Sequence, residues 1–174
     1  CWLLPSLIRD IRHKLGNSSR GIVSTGTVPF GKVELDDSQC TGCGLCALDC
    51  ATGALTASSS DETNSYQLLF KHDYCVACGR CIEVCPEKCL RLERILELDR
   101  IGSPPTVLFE DRVVRCYQCG SPVAPKAMID KLKVKLHDGG AFPSQLELCP
   151  ACRIKSQFSL GKVDDIGIGS GYAT

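Results

Sequence analysis

Apolar residues recur along this chain in several distinct rhythms. Over residues 1–16, Leu3, Leu4, Leu7, Ile8, Ile11 and Leu15 fall at helical spacing, and Arg9, Arg12, His13 and Lys14 fall mainly on the other side. Pro5 suits the first turn of such a helix and Gly16 its end. The spacing predicts an amphipathic helix too short to span a bilayer. It suits packing on its own domain, or lying on a membrane or a membrane subunit with Trp2 at the interface. Further on, Leu55–Ala57 and Tyr66–Phe70 read as strands joined by the polar turn Ser58–Ser65, a β-hairpin arm. Residues 82–85 and the Lys88–Leu98 stretch are expected to hold short helices, the latter with Leu92, Ile95 and Leu96 on one face. A helix over Lys126–Leu136 presents Met128, Ile129, Leu132 and Leu136 on one side and stops at Gly139-Gly140. Leu146–Leu148 is strand-like. The run Gly161–Tyr172 neither follows a strand nor opens a helix, so its glycines read as a flexible tail and not as a nucleotide loop.

Composition narrows the picture. The chain has 174 residues, enough for one or two small domains, and only 6 % are aromatic. So little core calls for staples, and 14 cysteines are there to supply them. Twenty basic residues balance 20 acidic ones, which argues against binding nucleic acid by bulk charge. The balance is a cancellation. Residues 1–30 carry four basic and one acidic group, residues 31–101 carry 12 acidic and 7 basic, and residues 102–174 carry 7 acidic and 9 basic. An acidic middle therefore sits between two mildly basic ends. No credible nucleophile–base pair and no small-molecule substrate site is visible. His13, His72 and His137 are isolated and read as surface or capping residues.

The cysteines carry the chemistry. Cys40, Cys43, Cys46 and Cys50 are spaced C-x2-C-x2-C-x3-C, and Cys75, Cys78, Cys81 and Cys85 repeat that spacing with Pro86 following. This is the run of the bacterial two-cluster iron–sulfur proteins. Cysteines three apart in a tight loop can aim together at a cubane, whereas pairing them as disulfides would strain the turn. A reducing compartment follows, and no secretory signal is visible. Cys116-x2-Cys119 and Cys149-x2-Cys152, with 29 residues between the pairs, read as a four-thiolate site for one metal ion. Zinc is favoured there, with a rubredoxin-like iron second and dithiol redox chemistry third. Cys1 stays unassigned.

A shift of 35 residues carries Cys40, Cys43, Cys46 and Cys50 onto Cys75, Cys78, Cys81 and Cys85, Gly44 onto Gly79, and Ala54 onto Cys89. Two copies of one unit imply a pseudo-two-fold fold. Cys89, at a small apolar position, reads as packing. Gly44 and Gly79 permit positive φ and let peptide N–H groups approach cluster sulfurs.

On these residues, the segment from about 32 to 100 resembles a bacterial-type ferredoxin with two [4Fe-4S] clusters. The resemblance implies that the fourth cysteine of each run crosses over. Cys40, Cys43, Cys46 and Cys85 would then hold cluster 1, and Cys75, Cys78, Cys81 and Cys50 cluster 2. Ala51 stands where the family usually has proline, so a local loop change is expected. The expected architecture is α+β: an N-terminal amphipathic helix and linker (1–30), a 2[4Fe-4S] ferredoxin domain (31–101), a four-cysteine zinc-ribbon-like or rubredoxin-like module (102–158) and a Gly-rich tail (159–174).

The order of these parts, ending in V-V-R-C-Y-Q-C-G and L-C-P-A-C-R, resembles the ferredoxin-type subunit of membrane-bound group 4 [NiFe] hydrogenases of the formate hydrogenlyase kind. The ferredoxin part is similar to the two-cluster subunit of respiratory complex I. The resemblance implies an electron-transfer subunit, not itself an enzyme. Its partners would be a dehydrogenase or ferredoxin-like subunit, a hydrogenase small-subunit-like protein and a membrane subunit. It would lie on the cytoplasmic face of the membrane and touch it through residues 1–16. A freely diffusing ferredoxin, a subunit of another anaerobic oxidoreductase, and a binding module recognising partners through its metal knuckle are the alternatives.

Overall fold

The computed structural model describes residues 29–137 and 143–159, together with Ser6, Leu7, Asp10, His13, Lys14, Ile22 and Val23. Of the expected N-terminal helix, those five early positions are helical and exposed. The remainder of that helix, Cys1, and the Gly-rich tail from residue 160 lie outside the described residues. Ile22–Val23 (β1) pairs antiparallel with Leu96–Glu97 (β6). No helix among the described residues is long and apolar enough to cross a membrane.

The ferredoxin segment starts with Lys32–Leu35 (β2), which pairs antiparallel with Leu90–Glu93 (β5), Val33 opposite Leu92 and Leu35 opposite Leu90. The expected helix over Lys88–Leu98 is therefore two strands. Leu92, Ile95 and Leu96 fit helical spacing, but Leu90 and Leu92 alternate toward the core, and a strand far upstream in the chain satisfies their backbone. Two short helices, Leu45–Leu48 (α1) and Arg80–Val84 (α2), carry the middle cysteines. Each is headed by a left-handed glycine, Gly44 at φ 74° and Gly79 at φ 81°. An L side chain adopts that turn only at a cost, which accounts for glycine at both places.

The hairpin is longer than its pattern suggests. Leu55–Ser60 (β3) pairs with Ser65–Phe70 (β4) along its whole length, so serines read as turn are strand, and only residues 61–64 turn. Nor is it a free arm. Thr106–Arg115 (β7) pairs with β4, and Pro122–Pro125 (β8) pairs with β7, giving one four-stranded antiparallel sheet ordered β3-β4-β7-β8. This sheet runs across residue 101 and makes the C-terminal part continuous with the ferredoxin segment. Lys126–His137 (α3) packs on β7, and Asp111 Oδ2 accepts from Ala127 N in its first turn at 2.7 Å. Pro143–Glu147 is a 3-10 turn, not the strand expected at Leu146–Leu148, and Pro150–Ser159 forms α4.

The main core gathers Val33, Leu55, Leu68, Phe70, Leu90 and Phe109 around Cys46, Cys75, Cys85 and Cys89. A second, smaller core consists of Cys116, Leu148, Cys149 and Cys152. Arg115 joins the two regions. Its guanidinium donates to Asn64 Oδ1 at 2.8 Å and Asp61 O at 2.9 Å at the hairpin tip, and to Gly120 O at 3.1 Å beyond Cys116. Ion pairs Lys131–Glu87 and Lys133–Glu147 tie α3 to the loop after Cys85 and to the approach to Cys149.

The contact between the sheet and the first cysteine loop is tight at Gly42. Its φ is 66°, and a Cβ there would lie 2.9 Å from Phe109 Cε1 and 3.0 Å from Pro125. Gly42→Ala is expected to cost about 2–3 kcal/mol from left-handed strain plus the clash. Denaturant unfolding of the loaded protein measures it, and a cost under about 0.5 kcal/mol would show that this contact is not tight.

Candidate metal centres

Thirteen of the cysteines are described, and all are free thiols. Nine of them line two separate cavities, the eight of the two runs and Cys89. One is walled by Cys40, Cys43, Cys46 and Cys85, with Leu35, Tyr66, Leu68 and Cys89 among its neighbours. The other is walled by Cys50, Cys75, Cys78 and Cys81, with Val33, Ala54, Leu55 and Phe70. Each cavity thus draws three sulfurs from one run and the fourth from the other run.

The backbone explains the division. The first three cysteines of each run sit on one tight loop and the turn of helix that follows it. The chain then leaves α1 or α2, and the fourth cysteine falls at the start of the next loop, beside the opposite cavity. Asp49 and Arg80, 3.0 Å apart, bind α1 to α2 across this junction.

The electrostatics follow the same division. Burial pushes the Cys46 thiol up to about 12 and Cys81 to about 11, and raises Cys40 and Cys75 as well. The crossing cysteines behave oppositely. Burial raises Cys50, but donation from Leu55 N–H (3.4 Å), the Thr52 hydroxyl and the N–H groups of Ala54 and Thr52 outweighs it. Burial also raises Cys85, and it is outweighed by the Cys89 N–H and thiol and by the N–H groups of Glu87 and Lys88. Each fourth cysteine thus sits in a loop of inward-pointing amides suited to a thiolate. At Cys40, Cys46, Cys75 and Cys81 burial keeps the thiols protonated until a cation compensates them.

The C-terminal four cysteines form a different kind of site. The Sγ atoms of Cys116, Cys119, Cys149 and Cys152 all lie within 4.8 Å of one another, the only set of three or more potential ligands so gathered among the described residues. Cys119 and Cys149 Sγ are 3.6 Å apart. Four sulfurs about 2.3 Å from one ion stand about 3.8 Å apart, so this spacing fits a single tetrahedral metal. Cys116–Cys119 closes with Gly120 N–H donating to Cys116 O at 2.8 Å, and Gly120 takes φ 74°. Cys149 caps α4: its Sγ accepts from Cys152 N at 3.4 Å, and Pro150 occupies the first helical position. Cys116, Cys149 and Cys152 are buried, and only Cys119 is exposed.

Two sequence readings need amendment. Cys89 is buried as expected, yet its Sγ lies 3.6 Å from Cys85 Sγ and is therefore part of the first site. His72 is not a surface residue. It is buried, and its Nε2 accepts from Glu97 N at 3.0 Å, while neighbouring Asp73 accepts from Gly102 N at 2.9 Å. Together they pin residues 97–102 beside the second cysteine run, a role that an isolated histidine in a sequence does not announce.

Two cysteine-lined cavities, each taking its fourth cysteine from the other run and set in a small apolar core, define a two-cluster iron–sulfur electron-transfer protein. The family model for the 4Fe-4S dicluster domain matches residues 33–92. A pyruvate synthase subunit PorD of Methanothermobacter marburgensis is 33 % identical over 40 % of this chain and 75 % of its own length. The NAD(P)H-quinone oxidoreductase subunit I of Gloeobacter violaceus is 29 % identical over 49 % of each chain. The polyferredoxin protein MvhB of Methanothermobacter marburgensis is 33 % identical over 39 % of this chain and 19 % of its own. This chain belongs to the 4Fe-4S dicluster ferredoxin family, whose members carry electrons and do not themselves catalyse substrate chemistry. It spans about half the length of the Gloeobacter subunit I and about a fifth of the polyferredoxin.

The four-thiolate site has a pH signature. The Cys149 N–H and further amide donors hold Cys116 down at about 6, while hydrogen bonds shared with Cys119 and Cys149 push Cys152 up to about 12. Near neutral pH, Cys116 is already a thiolate, and Cys152 must lose its proton to bind metal. Zinc affinity is therefore expected to rise with pH between about 6 and 8, with at least one proton released per ion. Calorimetry in buffers of different ionisation enthalpy measures that release, and binding without it would contradict this geometry.

Proposed function

We propose that this chain is the electron-relay subunit of a membrane-associated redox complex. Cys40, Cys43, Cys46 and Cys85 hold cluster 1, and Cys75, Cys78, Cys81 and Cys50 hold cluster 2. The observation that carries this reading is the sharing of fourth cysteines between the two cavities. When bound, the clusters supply one-electron reduction and oxidation without bond breaking. The protein positions the sulfurs, buries Cys46, Cys75 and Cys85, and directs amides at the crossing thiolates.

Residues 102–158 act as a docking module stapled by one zinc ion at Cys116, Cys119, Cys149 and Cys152. Their attachment through β7 and Arg115 supports a fixed placement against the ferredoxin segment. The helices beside the two cavities differ in character. α1 exposes Leu45 and Leu48, whereas the matching positions on α2 are Arg80 and Glu83. An apolar face beside one site and a charged face beside the other suit a lasting contact at cluster 1 and an exchangeable one at cluster 2.

The particular complex is read as hydrogenase-like or complex I-like, with a dehydrogenase or ferredoxin-like donor. Similarity to a quinone oxidoreductase subunit I and the knuckle pair after the ferredoxin segment support it. The basic, apolar-striped residues 1–16 suit peripheral contact at the cytoplasmic face of the membrane.

Iron and acid-labile sulfide are expected at about eight each per chain, and about four of each would refute the two-cluster assignment. Deleting residues 1–16 from the native complex should release the chain from membranes while leaving iron unchanged. Retention on membranes after that deletion would remove the anchoring role.

A further inference from the structure

The two cavities are not electronically alike. The 35-residue shift makes Cys89 the counterpart of Ala54, so a thiol stands beside Cys85 where a methyl stands beside Cys50. Cys89 is only 6 % exposed, and its Sγ is 3.6 Å from Cys85 Sγ. It lines the same cavity as Cys40, Cys43, Cys46 and Cys85. Packing alone asks only for a small apolar group here, as Ala54 supplies in the other copy.

A second feature points into the same cavity. Tyr66 Oη is buried without a hydrogen-bond partner, and Tyr66 lines the cavity of Cys40, Cys43, Cys46 and Cys85. Its ring is steadied edge-on by Phe109 at 6.3 Å, and its oxygen lies 3.3 Å from where a Cβ on Gly44 would stand. A desolvated hydroxyl with no acceptor is costly, and a sulfur-rich cluster beside it supplies the missing acceptor. The second cavity offers less. Thr52 Oγ1 lies 3.7 Å from Cys50 Sγ, and the Arg80 guanidinium is half-exposed and engaged by Asp49 and Glu83. Near the first cavity the one carboxylate on the wall, Glu87, is neutralised by Lys131.

We propose that the Cys89 thiol and the Tyr66 hydroxyl donate hydrogen bonds to the sulfurs of the Cys40, Cys43, Cys46 and Cys85 site, and so make it the higher-potential site of the pair, where an electron entering the chain comes to rest. This rests on the two-cluster reading above. The physical basis is charge. Reduction adds one negative charge, and a donor aimed at the sulfurs stabilises the more negative form. Neither residue is a ligand; both act through the sulfurs they face.

The test is an EPR-monitored redox titration of the full chain with its iron content counted. In Cys89→Ala, iron should stay at about eight while one cluster becomes about tenfold harder to reduce, equivalent to about 59 mV for one electron. Tyr66→Phe should move the same cluster in the same direction. Cys89→Ser, which keeps a donor, should restore it. Ala54→Cys should raise the other cluster, which assigns the two signals. A purely packing role for Cys89 predicts the opposite sign, because water entering the vacated space would favour the reduced form. Unchanged potentials, an upward shift in Cys89→Ala, equal shifts of both clusters, or loss of about four irons would each overturn the proposal. Wild-type protein with clearly fewer than about eight irons would instead overturn the two-cluster reading, and this inference with it.

Discussion

Each cysteine run gives three sulfurs to one cavity and its fourth to the other, and the remaining structure depends on that exchange. The chain is poor in aromatics, and its main core is small, with four cysteines forming part of its wall. Such a core does not hold two halves together by burial alone. The exchanged Cys50 and Cys85 make each half incomplete without the other. Their loops are specialised for it: inward amides overcome burial at these two thiols, while burial dominates at Cys40, Cys46, Cys75 and Cys81. Metal and cluster binding and folding are thus one linked equilibrium.

The C-terminal part extends this arrangement and is not simply appended to it. β7 adds to the hairpin edge, which would otherwise present unpaired backbone, and β8 covers the next edge. Phe109 of β7 packs against both the Gly42 loop and the Tyr66 ring, so the strand that leads to Cys116 also shapes the wall of the first cavity. Arg115, one residue before Cys116, grips the hairpin tip and the knuckle at once. The four-thiolate site is in this way mechanically joined to the cavity of Cys40, Cys43, Cys46 and Cys85.

Much of the chemistry was legible in the sequence, because metal ligands obey short spacings that survive without knowledge of tertiary structure. The two runs, the knuckle pair, Gly44 and Gly79 and the α3 helix are local features of this kind. Long-range pairing was not legible. Lys88–Leu98 looks helical until β2 appears as its partner, and Ser58–Ser60 look like turn until β4 supplies their hydrogen bonds. β7 escapes notice because its inward residues, Phe109 and Val113, are four apart and obscured by charged neighbours and an irregular register. Cys89 is the instructive case. The internal repeat located it correctly as a small buried residue, but the repeat could not show that the position touches Cys85, so its chemistry went unread.

The central claim is the exchange of fourth ligands. The most direct measurement compares the EPR spectra of reduced Cys50→Ala with those of Cys78→Ala and Cys43→Ala. If the exchange is right, Cys50→Ala damages the same cluster as Cys78→Ala and leaves the other intact. A Cys50→Ala spectrum matching Cys43→Ala would place Cys50 with its own run and contradict the account.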